Sequence, residues 1–321
     1  MGPPRQRRVN RERVARTLTF WLLPEFVLRV VSRFQKVAGF DRAIALASGA
    51  LTATIPLTIV TSSLASTLGG KSTADRIIDR YELTGGGAEA VRDVFAPASG
   101  VSTSLGIVGV LFLLLAVLSF TRGVQRLFEQ TWELDPLSVR NTANGLVWTG
   151  GLALYLGVSG ILHTVLGRSQ LELSAALLGA PVSALFLLWS GRVLSARRLA
   201  RDDVMPFAIL GSALLAGYSV GATVYVPHLF DTYATRYGVI GAVFAMISAL
   251  FVVMVITVGS AAAGREIRDE LRRIARGEKP AEDEVQRQWD EVTAQARSRW
   301  DTARAYVEQR RRARDRARDE P

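Results

Sequence analysis

The stretch 237–264 constrains the fold most strongly, because it reads YGVIGAVFAMISALFVVMVITVGSAAAG and contains no charged residue. At about 1.5 Å per helical residue, it is long enough to cross the roughly 30 Å hydrocarbon layer of a bilayer. One cation, Arg236, precedes it, and five follow it closely: Arg265, Arg268, Arg272, Arg273 and Arg276. Such a basic collar is typical of the cytoplasmic end of a membrane span. We therefore predict a span that ends in the cytoplasm.

Long uncharged stretches recur along the chain, although charged residues make up 21% of its 321 residues. Six such stretches occur: 43–70, 94–121, 141–167, 173–191, 204–230 and 237–264. They predict spans at about 43–68, 101–121, 145–166, 173–191, 204–226 and 237–264. The sequence therefore predicts an all-α, polytopic membrane protein whose residues 43–264 form six transmembrane helices.

The basic residues of the short connecting segments predict the orientation. Segments 122–144 and 192–203 carry three and four cations, whereas segments 167–172 and 227–237 carry one each. Because cytoplasmic loops are enriched in Lys and Arg, this difference places both termini in the cytoplasm.

The N-terminal region is predicted to contain a basic disordered leader, 1–17, followed by an amphipathic helical segment, 18–42. An apolar stripe with interleaved cations indicates a helix that lies in the cytoplasmic interface and contacts anionic phospholipid. The alternative is an ordinary helix packed on the ends of the spans. The candidate membrane-surface residues are Trp21, Arg29, Arg33 and Lys36.

Two charged segments lie outside the predicted spans. Segment 69–100 is the long loop between the first two spans and is expected to form one or two short helices outside the membrane. The C-terminal segment 265–321 carries sixteen cations and fourteen anions. It is predicted to be either a helical surface for a membrane or a cytoplasmic protein partner, or a solvated and partly disordered tail.

Prolines occur near the middle of the first and fourth predicted spans, at Pro56 and Pro181. Spans one and four run in opposite directions, as an inverted repeat requires, and interrupted helices at matching positions indicate a midplane substrate site. Thr54 and Thr58 would then line a passage. The alternative is simple kinking, with the hydroxyls bonded to their own backbone or a neighbouring helix.

The residue inventory disfavours several kinds of chemistry. The chain has no cysteine and only two histidines, His163 and His228, so it offers no thiol nucleophile or thiolate metal site and little material for a histidine-based centre. We predict no catalytic, metal-binding or cofactor-binding residues. The spans carry no charge, which argues against an ion-coupled pump.

Several motifs resemble the YihY/BrkB family of bacterial inner-membrane proteins, over roughly residues 35–272. The first span is similar at Ala45-Leu46-Ala47 and Ile55-Pro56-Leu57, and the second ends in Gln125-Arg126-Leu127 and Trp132. The last span begins Tyr237-Gly238-Val239-Ile240-Gly241-Ala242-Val243 and ends in Gly264-Arg265-Glu266-Ile267 and Glu270. Ser48-Gly49 replace an aromatic pair of the family, and Ala249 replaces a tryptophan.

The resemblance implies a six-helix protein of the bacterial inner membrane without established catalytic residues. Members were once labelled ribonuclease BN, and some are linked to virulence or to envelope and lipid functions. We expect a non-enzymatic protein that moves or handles an envelope lipid or another small substrate. The alternative is a structural or scaffolding membrane protein whose basic termini recruit a cytoplasmic partner. A homo-oligomer is a further candidate assembly. A ribonuclease, and nucleic acid as a partner, are disfavoured because the carboxylates are interspersed with arginines as in surface ion pairs.

Overall fold

The computed structural model describes residues 24–68, 73–94, 103–136, 142–166, 172–276 and residue 294. Within these ranges the regular secondary structure is α-helical and contains no strand, so the all-α prediction is confirmed. The helices are α1 Pro24–Lys36, α2 Gly39–Leu68, α3 Thr73–Tyr81, α4 Gly85–Val94, α5 Thr103–Thr131, α6 Thr142–Leu166, α7 Glu172–Leu194 and α8 Arg201–Arg276. The leader 1–17 and most of the tail 265–321 lie outside the described residues.

The long helix α8 is interrupted at Gly238, whose φ of 57° and ψ of −133° are not helical. Glycine reaches a positive φ without the steric cost that a Cβ brings. Residues of the two arms of α8, 201–237 and 239–276, meet in reverse order, since the Tyr218 hydroxyl donates to the carbonyl of Ala249 at 3.1 Å and Asp203 pairs with Arg268. The arms therefore run antiparallel. The predicted fifth and sixth spans therefore lie on the two arms of one helical hairpin.

The chain divides into two compact units, which comprise 1–36 with 269–321 and 37–268. In the second unit, α2 packs antiparallel to α5, and α6 packs against both α5 and α7. Small residues allow the close approach of α2 and α5: a Cβ on Gly123 would lie 2.9 Å from Cδ2 of Leu46.

The predicted loop 69–100 contains two short helices, α3 and α4, as expected from its sequence. Their apolar residues share a buried cluster with the end of the α8 hairpin near Gly238. Val91 of α4 and Val226 and Phe230 of α8 are almost completely buried there. The two short helices therefore cover this end of the hairpin.

In the first unit, α1 is a separate short helix. It ends at Lys36, and Ala38 has a φ of 50°, which begins a new helix direction at Gly39. The predicted segment 18–42 therefore contains α1 and the start of α2. Its first residues, 18–23, lie outside the described residues.

Two helices of the described chain are long and apolar enough to cross a membrane. They are Leu111–Thr131 within α5 and Arg201–Arg276, and a shorter apolar helix covers Leu178–Leu194. In the most apolar 18-residue stretch of each long helix, only 22% and 17% of the stretch, respectively, is buried. The core helix of a soluble protein would bury most of such a surface.

Candidate functional site

The four residues of the predicted midplane site lie on two helices. The Thr54 hydroxyl donates to the carbonyl of Ala50 at 2.8 Å, so it is satisfied within α2. Pro181 is exposed inside α7. The helix α2 continues through Pro56 and Thr58, but the side chains of these two residues lie outside the described part of the structure. A site shared by the four residues stays a prediction.

Two of the three cations predicted to contact the membrane make ion pairs inside the first unit. Arg29 is buried, and its Nη2 atom lies 3.3 Å from Oε2 of Glu270. The Nη2 atom of Arg33 lies 3.6 Å from Oδ2 of Asp269. Lys36 is exposed, and Trp21 lies outside the described residues. The ion pairs attach α1 to the end of α8, and the membrane contact itself stays a prediction.

The face of α1 opposite the ion pairs is apolar. Val27 and Val31, one helical turn apart, are 55% and 38% exposed. A helix with a buried polar anchor and an exposed apolar stripe is suited to lie in a membrane interface. The structure therefore indicates that apolar side chains, more than Arg29 and Arg33, form the exposed surface of this helix.

A buried aromatic cluster joins the end of α5 to the start of α8. It consists of Phe128, Trp132 and Phe207, with ring centroids 5.3–6.1 Å apart and exposures of 1–3%. Within the described residues, the Trp132 Nε1 atom is buried without a hydrogen-bond partner. Aromatic rings at these separations interact favourably in edge-to-face and stacked geometries. The cluster fixes the position of α5 relative to the hairpin.

Ion pairs surround this aromatic cluster. The Arg198 Nη2 atom lies 3.8 Å from Oε1 of the buried Glu129, which also accepts a hydrogen bond from Gln125 at 2.8 Å. On α8, Arg268 Nε donates to Oδ1 of Asp203 at 2.8 Å and connects the two arms. These contacts neutralise buried charges at one end of the helices.

Polar side chains between α6 and α7 pair with one another. The Tyr155 hydroxyl and Ser183 Oγ are 2.9 Å apart, and Trp148 Nε1 donates to Ser190 Oγ at 2.9 Å. The Tyr155 ring also stacks on Phe186 at 4.4 Å. Polar groups in an apolar environment need such internal partners, because no water is available to them there. These contacts serve helix packing.

No group of three or more His, Asp or Glu side chains is placed to hold a metal ion within the described ranges.

Sequence reasoning placed Trp132 and Gly264 in motifs but did not foresee their contacts. Trp132 belongs to the aromatic cluster, and a Cβ on Gly264 would lie 2.6 Å from the backbone of Phe207. The pairing Asp203–Arg268 was also missed. A signal was present, since Asp203 precedes the fifth span and Arg268 follows the sixth, at the ends that a hairpin brings together.

A comparison with family models matched residues 30–286 to the family described as virulence factor BrkB. The match covers most of the chain, including the motifs around Trp132 and Gly264. Neither the curated proteins nor the solved structures gave a match.

Proposed function

Because the chain belongs to the BrkB family of membrane proteins, as the resemblance of its motifs indicated, we propose that it moves or handles an envelope lipid or another small substrate. In this proposal it is a non-enzymatic protein of the bacterial inner membrane. Six helical segments cross the bilayer, and both termini are cytoplasmic.

The observation that carries the membrane part of the proposal is the exposure of large apolar side chains along the long helices. Soluble proteins seldom expose contiguous apolar surfaces of this extent, whereas a membrane protein presents them to lipid. Residues of α5, α6, α7 and α8 contribute, with exposures between 41% and 77%: Leu111, Phe112, Leu115, Leu154, Val158, Leu178, Leu185, Ile209, Val224, Ile240 and Phe244.

Six spans are supported by helix lengths. The helices α2, α5, α6 and α7 contain 30, 29, 25 and 23 residues, and each arm of α8 is longer than any of them. About 20 apolar residues suffice to cross the hydrocarbon layer. The even number of spans and the basic short loops support cytoplasmic termini.

Movement of a lipid or another small substrate without a coupling ion fits the spans better than ion-coupled transport does. Their uncharged stretches contain no carboxylate or cation to relay protons or bind a coupling ion. Between α6 and α7, the described polar side-chain contacts are the hydroxyl and indole pairs Tyr155–Ser183 and Trp148–Ser190. A scaffolding role through the charged tail is the competing interpretation, and it predicts no movement of lipid.

The proposal is tested with the purified full chain in vesicles that contain fluorescent phospholipid in both leaflets. Dithionite added outside reduces only the outer-leaflet label, so movement of lipid between leaflets should raise the reduced fraction above about one half. Protein-free vesicles and vesicles with an unrelated six-span protein serve as controls. A reduced fraction equal to that of the controls would contradict lipid movement and favour the scaffold.

We expect the purified protein to cleave no RNA. A metal-dependent nuclease needs clustered carboxylates to hold its ions, and the sequence intersperses its tail carboxylates with arginines. The measurement is incubation of labelled RNA with the protein and Mg²⁺. Cleavage that a point substitution in this chain abolishes would contradict the expectation.

A further inference from the structure

Three arginines, Arg42, Arg122 and Arg126, lie on the segments where the start of α2 packs on the end of α5. The packing of Leu46 on Gly123 sets the antiparallel register of these helices, and Arg42, one turn before Leu46, donates to Oε1 of Gln130. Arg126 lies on α5 between Gly123 and Gln130, one helical turn before Gln130, and is close enough for its charge to act on Arg42. Arg122 precedes Arg126 by one helical turn, which places both on one face.

Within the described residues, no carboxylate pairs with any of these three arginines. Arg42 is half-buried and also donates to the carbonyl of Val37 at 3.2 Å, whereas Arg122 and Arg126 are exposed. Burial, together with the positive charge of Arg126, lowers the pKa of Arg42. The arginines therefore form an uncompensated positive site that an anion would stabilise.

The exposed face of α5 changes from apolar to basic along one stripe. Leu111 and Leu115 are 58% and 59% exposed, and the same face continues through the exposed Ser119 to Arg122 and Arg126. Leu111 and Arg122 are separated by about 16 Å at 1.5 Å per residue, close to the roughly 15 Å thickness of one hydrocarbon leaflet. The stripe therefore has the length and polarity of one phospholipid molecule.

We propose that Arg42, Arg122 and Arg126 bind the phosphate of an anionic phospholipid whose acyl chains lie along Leu111 and Leu115. Guanidinium groups suit this role because their planar donors match phosphate oxygens in pairs. The apolar half of the stripe favours a lipid over free phosphate, because free phosphate has no apolar part that could pack on Leu111 and Leu115. This proposal specifies an anionic phospholipid as the lipid of the proposed function. It rests on the proposed function, in which this end of α2 and α5 faces the cytoplasm.

The test is native mass spectrometry of the detergent-solubilised full chain titrated with phosphatidylglycerol, with the Kd of the first bound lipid as the readout. Each arginine near an anionic headgroup contributes about fivefold in affinity, so the double variant Arg122→Gln/Arg126→Gln should weaken binding by at least tenfold. Both side chains are exposed, so the variant should fold. The variant Arg42→Lys keeps the charge but loses the paired donors, and it should weaken binding by less.

The matched control is Arg201→Gln, which removes an exposed arginine at the start of α8, on the same predicted side of the membrane. It should leave the Kd unchanged, and phosphatidylcholine with the same acyl chains should bind all variants alike. An unchanged Kd in the double variant, an equal loss in Arg201→Gln, or displacement of the lipid by millimolar inorganic phosphate would each overturn the site. Lipid movement in vesicles is a separate readout: its absence alongside arginine-dependent binding would reject the function and keep the site.

Discussion

Replacing Gly264 by alanine should prevent the two arms of α8 from packing correctly. The new Cβ would lie 2.6 Å from both the Cα and the N of Phe207. Backbone atoms cannot rotate away as the end of a flexible side chain can, so the arms must separate or the helix must shift. Overpacking of this kind typically costs about 1–3 kcal/mol, and a contact with backbone belongs at the upper end. The apparent Tm of the purified protein in detergent should fall by several degrees.

The matched control is Gly259→Ala, five residues earlier on the same arm. A Cβ there meets nothing within 4 Å. Because alanine is favoured over glycine inside a helix by about 1 kcal/mol, this variant should be as stable as the parent or more so. Equal Tm values for the two variants would show that the close contact of the arms at Gly264 does not exist.

The second large effect is expected from Asp203→Asn. This carboxylate is buried and lies 2.8 Å from the Nε atom of Arg268, on the other arm. Its loss leaves the partly buried guanidinium without its counter-charge, and removal of one partner from a fully buried pair costs about 3–5 kcal/mol. Since Arg268 retains some exposure, we expect about 2 kcal/mol, measured as the urea or thermal stability of the detergent-solubilised protein.

Asp202→Asn provides the comparison. This substitution makes the same change in charge and size at the neighbouring position in the first turn of α8, where the side chain is exposed. Its loss removes only a favourable interaction with the helix N-terminus, worth a few tenths of a kcal/mol. If Asp202→Asn destabilised the protein as much as Asp203→Asn, net charge rather than the ion pair would be responsible.

The α-helical class and the places of the long helices could be predicted because lipid imposes long uncharged stretches, which are read directly from sequence. The family could be predicted because short motifs, such as those that contain Trp132 and Gly264, are read directly from the sequence. The hairpin was only partly predictable: the two apolar stretches are visible, but the turn depends on a single positive φ at Gly238. A glycine in a membrane helix gives no sign by itself of which backbone conformation it adopts.

The candidate site was harder to predict because its residues are distant in sequence. The place of Arg29 in an amphipathic stripe predicts a lipid contact, whereas its ion pair with Glu270, 241 positions away, gives no signal in the sequence. In contrast, the sequence analysis gives Arg42 no role and places Arg126 only in a motif, and the α2–α5 register brings the two arginines together. Periodicity determines the face on which a residue lies, whereas tertiary packing determines its partner.

The central claim is that six helical segments cross the membrane with both termini in the cytoplasm. Its most direct test is the labelling of single cysteines in intact cells, since the chain has no native cysteine. Suitable exposed positions are Thr84 and Thr235, beside the end of the hairpin near Gly238, and Pro136 and Ala200, near the Asp203–Arg268 end.

The structure provides an internal check, because it brings the members of each pair to one end of the helices. Thr235 lies against Gly86, close to Thr84, and Arg198 donates to the carbonyl of Asp135, which joins the segments of Ala200 and Pro136. A membrane-impermeant maleimide should label Thr84→Cys and Thr235→Cys in intact cells, and Pro136→Cys and Ala200→Cys only after permeabilisation. The reverse pattern, or labelling of all four in intact cells, would contradict the account.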